Sequence, residues 1–158
     1  MIQARLFGQP QTELTSDDYY TPRWVFETLG LRFDLDVASP PGGPPFVPCD
    51  RYFTQEDDGL AQPWQGRVWM NPPFSAQRRW IERFVEHANG VALLPFSKST
   101  AFRALWQTGA AMVYLSDEGS GGMRFYRDGN SGQIYQPVAL VALGADNIEA
   151  LHPFGKVR

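Results

Sequence analysis

A strand that runs straight into two adjacent prolines is the tightest constraint in this chain. Residues 68–75 read VWMNPPFS. Each proline lacks an N–H and fixes φ, so the pair cannot sit inside a helix or a central strand. The apolar run therefore stops at Asn71 and leaves a stiff polar corner, with the aromatic Phe74 just behind it. Any sheet built on residues 68–70 must present that corner at a strand end.

The segments around the corner alternate between strand and helix patterns. YYTPRWVFETLG reads as a short helix, with Thr21 to cap it, Pro22 in the first turn and Gly30 to stop it. RFDLDVA alternates and then turns apolar, which predicts a strand. SPPGGPPFVPCD holds five of the chain's 13 prolines and must be a loop. DRYFTQEDDGLAQPW reads as an acidic, turn-like stretch. SAQRRWIERFVEHANG puts Trp80, Ile81, Phe84, Val85 and Ala88 on one face and predicts the best helix in the chain. VALLP predicts a short buried strand, STAFRALWQTG a short helix capped by Ser99 or Thr100, and AAMVYLS another strand. The stretch GGMRFYRDGNSGQIYQPVALVALG has two β-rich runs about a turn and reads as a hairpin-like excursion. This order predicts an α/β fold with a mostly parallel sheet and an antiparallel C-terminal strand or hairpin. One domain is expected over 18–144, between a mobile tail at 1–17 and a C-terminal tail or loosely packed strand at 145–158.

Bulk properties narrow the partners. The 158 residues favour one core, and a net charge of −3 gives no global attraction to nucleic acid, so any such attraction must be local. The single cysteine, Cys49, fits a reducing compartment and reads as a small, partly buried residue. No apolar run reaches membrane-spanning length and the N-terminus is unlike a signal peptide, so a cytoplasmic protein without a membrane partner is expected. No metal site is expected either.

Open parallel sheets bind ligands at the carboxyl ends of their strands. Two strands deliver polar groups there, Asp36 and Asn71. The corner suits one kind of chemistry. An exocyclic amino group conjugated to a ring is a poor nucleophile because its lone pair is delocalised. Two acceptors that hold its N–H bonds can draw it toward tetrahedral geometry. The Asn71 side-chain oxygen offers one and the Pro72 carbonyl the other, with Pro73 stiffening the aim and Phe74 available to stack on a planar substrate. This is catalysis by positioning, not by a strong base. It requires an activated electrophile such as a sulfonium methyl donor. A lone Asn-Pro-Pro is otherwise most often a turn.

NPPF after a strand resembles the catalytic motif of amino-methyltransferases that use S-adenosylmethionine. DDYYTPRWVFETLG, FDLDVAS, DRYFTQEDDGL, WQGRVWMNPPFS and VALLPFSKSTAFRALW, in this order, resemble the phage-type DNA N6-adenine methyltransferases across residues 17 to 143. The resemblance implies a reduced Rossmann-like methyltransferase fold, S-adenosylmethionine as methyl donor and double-stranded DNA as partner. Asn71 and the Pro72 carbonyl would hold the adenine amino group, with Phe74 stacked on a flipped base. Tyr20, Thr21 and Pro22 would pack on the methionine part of the donor. Asp36 and Ala38 would belong to the first donor-binding motif, with Asp36 facing the ammonium group, and Asp58 would accept from the donor's adenine. Each has a plainer alternative: Thr21 as a helix cap, Asp36 as a solvated strand end, Asp58 as part of an acidic turn. The same chemistry on cytosine N4, RNA or protein glutamine, and a donor- or DNA-binding module without catalysis, are the competing functions.

Two departures from the family pattern stand out. DVASPPGGPP lacks the usual Phe-x-Gly-x-Gly turn after the first strand, and the acid for the donor's ribose is not evident, Asp50 being the candidate. For DNA phosphates the candidates are Arg78, Arg79 and Arg83 after the corner, Lys98 and Arg103 after VALLP, and Arg124 and Arg127 on the excursion. The chain has no length for a separate recognition domain, so sequence readout falls to loops at 39–50, 75–79 and 117–133, or to a second copy of the chain in a homodimer.

Overall fold

A computed structural model describes residues 20–115, 123–127, 130–134 and 137–158, with only the backbone described at 123–134. The expected tail at 1–17 lies outside the described residues. The first helix, α1 (Arg23–Leu29), stops at Gly30, whose φ of 62° is the left-handed turn that glycine adopts without cost. Pro22 takes the position before the first turn, and no side chain caps the helix, so Thr21 is not its cap.

Eight strands follow: β1 (Phe33–Asp36), β2 (Cys49–Tyr52), β3 (Val68–Met70), β4 (Gly90–Pro95), β5 (Ala111–Leu115), β6 (Met123–Arg127), β7 (Asn130–Ile134) and β8 (Val138–Leu143). Six of them form one sheet in the order β2-β1-β3-β4-β8-β5, and β6 and β7 pair as a separate antiparallel hairpin. Within the large sheet β8 alone runs against its neighbours, β4 and β5. The expected parallel sheet with an antiparallel C-terminal strand is therefore present, as is the hairpin. The helices α2 (Gln77–His87), α3 (Thr100–Ala104) and α4 (Ala145–Glu149) complete the described elements, with short 3₁₀ turns between them. Ser99 caps α3, its hydroxyl oxygen accepting from the Phe102 N–H.

The sheet is buried on both faces, which is why its central strands read as unbroken apolar runs. On one face Val25, Phe26 and Leu29 of α1 pack with Phe33, Trp69, Val91, Leu93 and Leu140. On the other, Ile81 and Phe84 of α2 and Phe102 of α3 pack with Leu35, Val68, Met70, Ala92 and Leu94. Alternate residues of β3 and β4 feed opposite faces, as a two-residue period requires. Trp69 anchors the first face, with the rings of Phe26 and Phe33 at 4.7 and 5.7 Å.

Two stretches differ from expectation. Residues 49–52, expected as loop and acidic turn, form the parallel edge strand β2, with Leu35 opposite both Arg51 and Val68. Residues 145–158, expected as a tail or a loose strand, form α4 and a 3₁₀ turn with Leu151 fully buried. Arg158 then exchanges two backbone hydrogen bonds with Met112, at 2.8 and 2.9 Å, and covers the outer edge of β5. No helix among the described residues is long and apolar enough to cross a membrane.

Candidate active site at the strand-order switch

The chain leaves β1 in one direction to make β2 and in the other to make β3, so the strand order reverses at β1. A crevice opens at the carboxyl ends of strands at such a point. Asp36 ends β1 and Asn71 follows β3, one on each side of it. The crevice is a cleft of about 660 Å³. Its walls include Tyr20, Thr21, Asp36, Ala38 and Asp58, together with Asn71, Pro72 and Pro73. The structure thus gathers these candidate donor-side and catalytic residues around one space. Pro22 is buried behind the wall, and Phe74 packs, half-buried, against the α1-side core, with its neighbour Ser75 facing the cleft.

The corner is built as its sequence requires. Pro73 holds φ −53° and ψ 123°, extended enough to end the strand, and a 3₁₀ turn at Phe74–Ala76 leads into α2. The Asn71 carboxamide is held from across the cleft: its Nδ2 donates to Thr21 Oγ1 at 3.0 Å. That bond leaves Oδ1 as the end available to accept.

Asp36 sits in the cleft floor with only 2% of its surface exposed. Its Oδ1 accepts from the Ala38 N–H at 3.1 Å. Burial pushes its carboxyl up from 3.8 to about 7, against the opposing pull of that one hydrogen bond. Cys49 lies on the neighbouring strand, and burial followed by the Asp36 charge pushes its thiol up to about 11. A thiol so raised stays protonated and inert near neutrality.

The Asp57-Asp58-Gly59 turn separates two acids by role. Asp57 closes the turn, its Oδ2 accepting from the Thr54 N–H at 2.8 Å. Asp58, with φ 53°, faces the cleft and its carboxylate has no partner among the described residues. Gly59 is pressed against the end of β1, so close that a Cβ there would stand 2.1 Å from the Val37 carbonyl oxygen. Trp64 Nε1 donates to the Gly59 carbonyl at 2.8 Å, and Trp64 stacks on Trp80 of α2 at 6.4 Å.

The missing glycine-rich turn has a replacement. Pro40, Pro41, Pro44, Pro45, Phe46 and Val47 of the proline loop form a wall of the cleft. The loop is pinned from outside by Arg23, whose guanidinium lies 5.0 Å from the centre of the Phe46 ring. The sequence reading missed this wall, and it missed Trp80, whose place in the apolar period of α2 reads as core although its ring reaches the cleft. An aromatic inside a proline-rich loop was the available signal for Phe46.

The remaining candidates lie elsewhere. Asp50 is engaged by Arg32 in an exposed ion pair on the edge strand and does not line the cleft. Arg78 pairs with Glu82 at 3.0 Å, and Arg83 with Glu86 at 3.2 Å. Arg79 and Lys98 are exposed and make no hydrogen bond or ion pair among the described residues. Arg124 stands on β6, with its side chain outside the described residues.

A reduced parallel sheet of this order, with one antiparallel strand and a cleft at its switch point, is a Rossmann-like methyltransferase fold. Residues 10–135 match the family model described as DNA N-6-adenine-methyltransferase (Dam), and the chain belongs to that family. No curated protein and no solved structure matches the chain. The family makes the protein an enzyme of DNA adenine-N6 methylation, with DNA as its substrate.

Proposed function

We propose that the protein transfers a methyl group from S-adenosylmethionine to adenine N6 in double-stranded DNA, with the base turned out of the helix into the Asn71–Phe74 corner. One observation carries this reading: Asn71 and Pro72 line the same cleft as Asp36 and Asp58.

The cleft suits the donor in size and charge. Its volume falls within the range of small-molecule sites. Its described walls hold the carboxylates of Asp36 and Asp58 and no Lys, Arg or His, which matches a ligand that is cationic overall. Asp36 would hold the ammonium group, Asp58 the adenine amino group, and Tyr20, Ala38 and the proline loop the apolar flanks. When bound, the donor supplies an electrophilic methyl group on its sulfonium.

The chain's own residues prepare the nucleophile. Asn71 Oδ1 and the Pro72 carbonyl accept the two N–H bonds of the adenine amino group and free its lone pair from the ring. Asn71 is no base, so the surplus proton of the methylated nitrogen leaves to water. The proline pair fixes the direction of the carbonyl, which is where a pre-aimed acceptor gains over solvent.

Incubation of unmethylated DNA with tritiated S-adenosylmethionine, followed by digestion to nucleosides, tests the reading. Label in N6-methyladenine is the expected outcome. Asn71→Ala should lower the rate at least about 100-fold while donor binding persists. Label in another nucleoside, or near wild-type activity of Asn71→Ala, would overturn the assignment.

A further inference from the structure

We propose that Thr21 is a positioning residue for methyl transfer: its hydroxyl oxygen holds the Nδ2 end of the Asn71 carboxamide, so that Oδ1 is the end turned to the target amino group. The inference rests on the reaction proposed above and assigns Thr21 to the catalytic corner, not to the donor.

A carboxamide has two ends of nearly the same shape and opposite polarity. Turned one way, Asn71 offers the substrate amine an acceptor; turned the other, it offers an N–H that the amine's own N–H bonds repel. The two prolines fix the backbone after Asn71 but leave its side-chain torsions free. Something else must choose the end: a threonine hydroxyl can donate or accept, and here Thr21 Oγ1 accepts from Nδ2 at 3.0 Å, the direction that leaves Oδ1 to the substrate.

Thr21 is well placed to act as a fixed point. It is 5% exposed, and Pro22, with φ −68°, ties it to α1. That helix is itself anchored by buried Val25, Phe26 and Leu29. Its hydroxyl is not spent on capping α1, which has no side-chain cap. It reaches instead to a residue 50 positions along the chain. Thr21 and Asn71 both line the cleft, so one bond joins the wall before β1 to the corner after β3.

Thr21→Val, Thr21→Ala, Thr21→Ser and Asn71→Ala separate the roles, assayed on unmethylated plasmid DNA with tritiated S-adenosylmethionine. Valine keeps the shape and removes the acceptor; serine keeps the acceptor. Thr21→Val should lower kcat about 10- to 100-fold, as a misaimed group does. The KM and calorimetric Kd for the donor should stay within about twofold of wild type, since the proposed role touches only Asn71. Thr21→Ser should restore most of the rate, and Thr21→Ala, which is too small to clash, should repeat the loss. A Thr21→Val protein with wild-type kcat would sink the proposal, as would one whose donor Kd rises as much as its kcat falls. Failure of serine to rescue would overturn it as well. If the wild type makes no N6-methyladenine, the reaction and the proposal fall together. If the wild type is active and Asn71→Ala is not, a fully active Thr21→Val removes the Thr21 assignment alone.

Discussion

Asp36 carries two opposite demands at one atom group. On the proposed reading its burial would serve the cationic donor, because a carboxylate with little competing water binds an ammonium group strongly. The same burial penalises the charge while the cleft is empty, which is why the carboxyl is raised to about 7. Donor affinity should therefore rise as the pH climbs toward neutrality, by up to about tenfold per unit below the raised value, since a proton must leave before the cation can be held. Calorimetry of S-adenosylmethionine binding between about pH 5.5 and 7 reads that slope, and Asp36→Asn should flatten it while weakening binding about tenfold or more. Stability has the reverse sign. The folded state keeps a proton that the unfolded chain releases between 3.8 and about 7, so the contribution is full below 3.8 and is lost as the pH rises through about 7. At pH near 8 the empty Asp36→Asn protein should melt above wild type. A melting temperature equal to wild type there would mean that Asp36 is not held in a desolvated site.

At the level of elements, the turn at residues 55–59 shows how the cleft keeps its shape without a glycine-rich loop. The backbone of Gly59 touches the carbonyl of Val37, and Trp64 and Trp80 hold the turn from behind. Gly59→Ala would drive a methyl group into backbone, which cannot move aside as a flexible side chain can. The expected cost is about 1–3 kcal/mol of stability, read by chemical denaturation, with donor affinity falling more than DNA affinity because Asp58 moves with the turn. Equal losses for both ligands would show that the turn serves the whole fold instead. Of the strands that meet at this cleft, β3 was legible because double-sided burial writes it as an apolar run and β1 because it alternates, and α1 because glycine marks its end. The strand β2 was not legible: its residues are Cys49, Asp50, Arg51 and Tyr52, half-buried or exposed, and an edge strand with no buried face leaves no period to read. Residues 145–158 failed for a related reason. Helices of one turn have too few positions for an amphipathic pattern, and the burial of Leu151 comes from packing across the sheet face. At the site, Asn71 and Asp36 were readable as polar groups at strand ends and Asp58 from the family resemblance, whereas the partnership of Thr21 with Asn71 and the reach of Trp80 exist only once distant segments meet.

On the scale of the whole molecule, the charge balance sets how DNA must be met. The chain carries net −3 and a pI near 5.3, and its cleft adds carboxylates without cations among the described walls. A field of that sign repels a polyanion, so attraction has to come from a few cations close to the corner. The helix α2 begins directly after the 3₁₀ turn that follows the prolines, which puts Arg78 and Arg79 in its first turn. The two differ in what they are doing. Arg78 already faces Glu82, an exposed pair worth at most about 1 kcal/mol, and a phosphate would have to displace that carboxylate. Arg79 has no such competitor among the described residues. Arg79→Ala should therefore weaken DNA binding and reduce the slope of log K against log salt by roughly 0.9, the share of one phosphate, with donor affinity unchanged. Arg78→Ala should do less, and Glu82→Gln, which frees Arg78, should strengthen DNA binding. Fluorescence anisotropy titrations over a salt series give all three slopes. An Arg79→Ala slope equal to wild type would remove that residue from the phosphate contacts and leave Lys98, at the end of the neighbouring strand, as the cation to vary next.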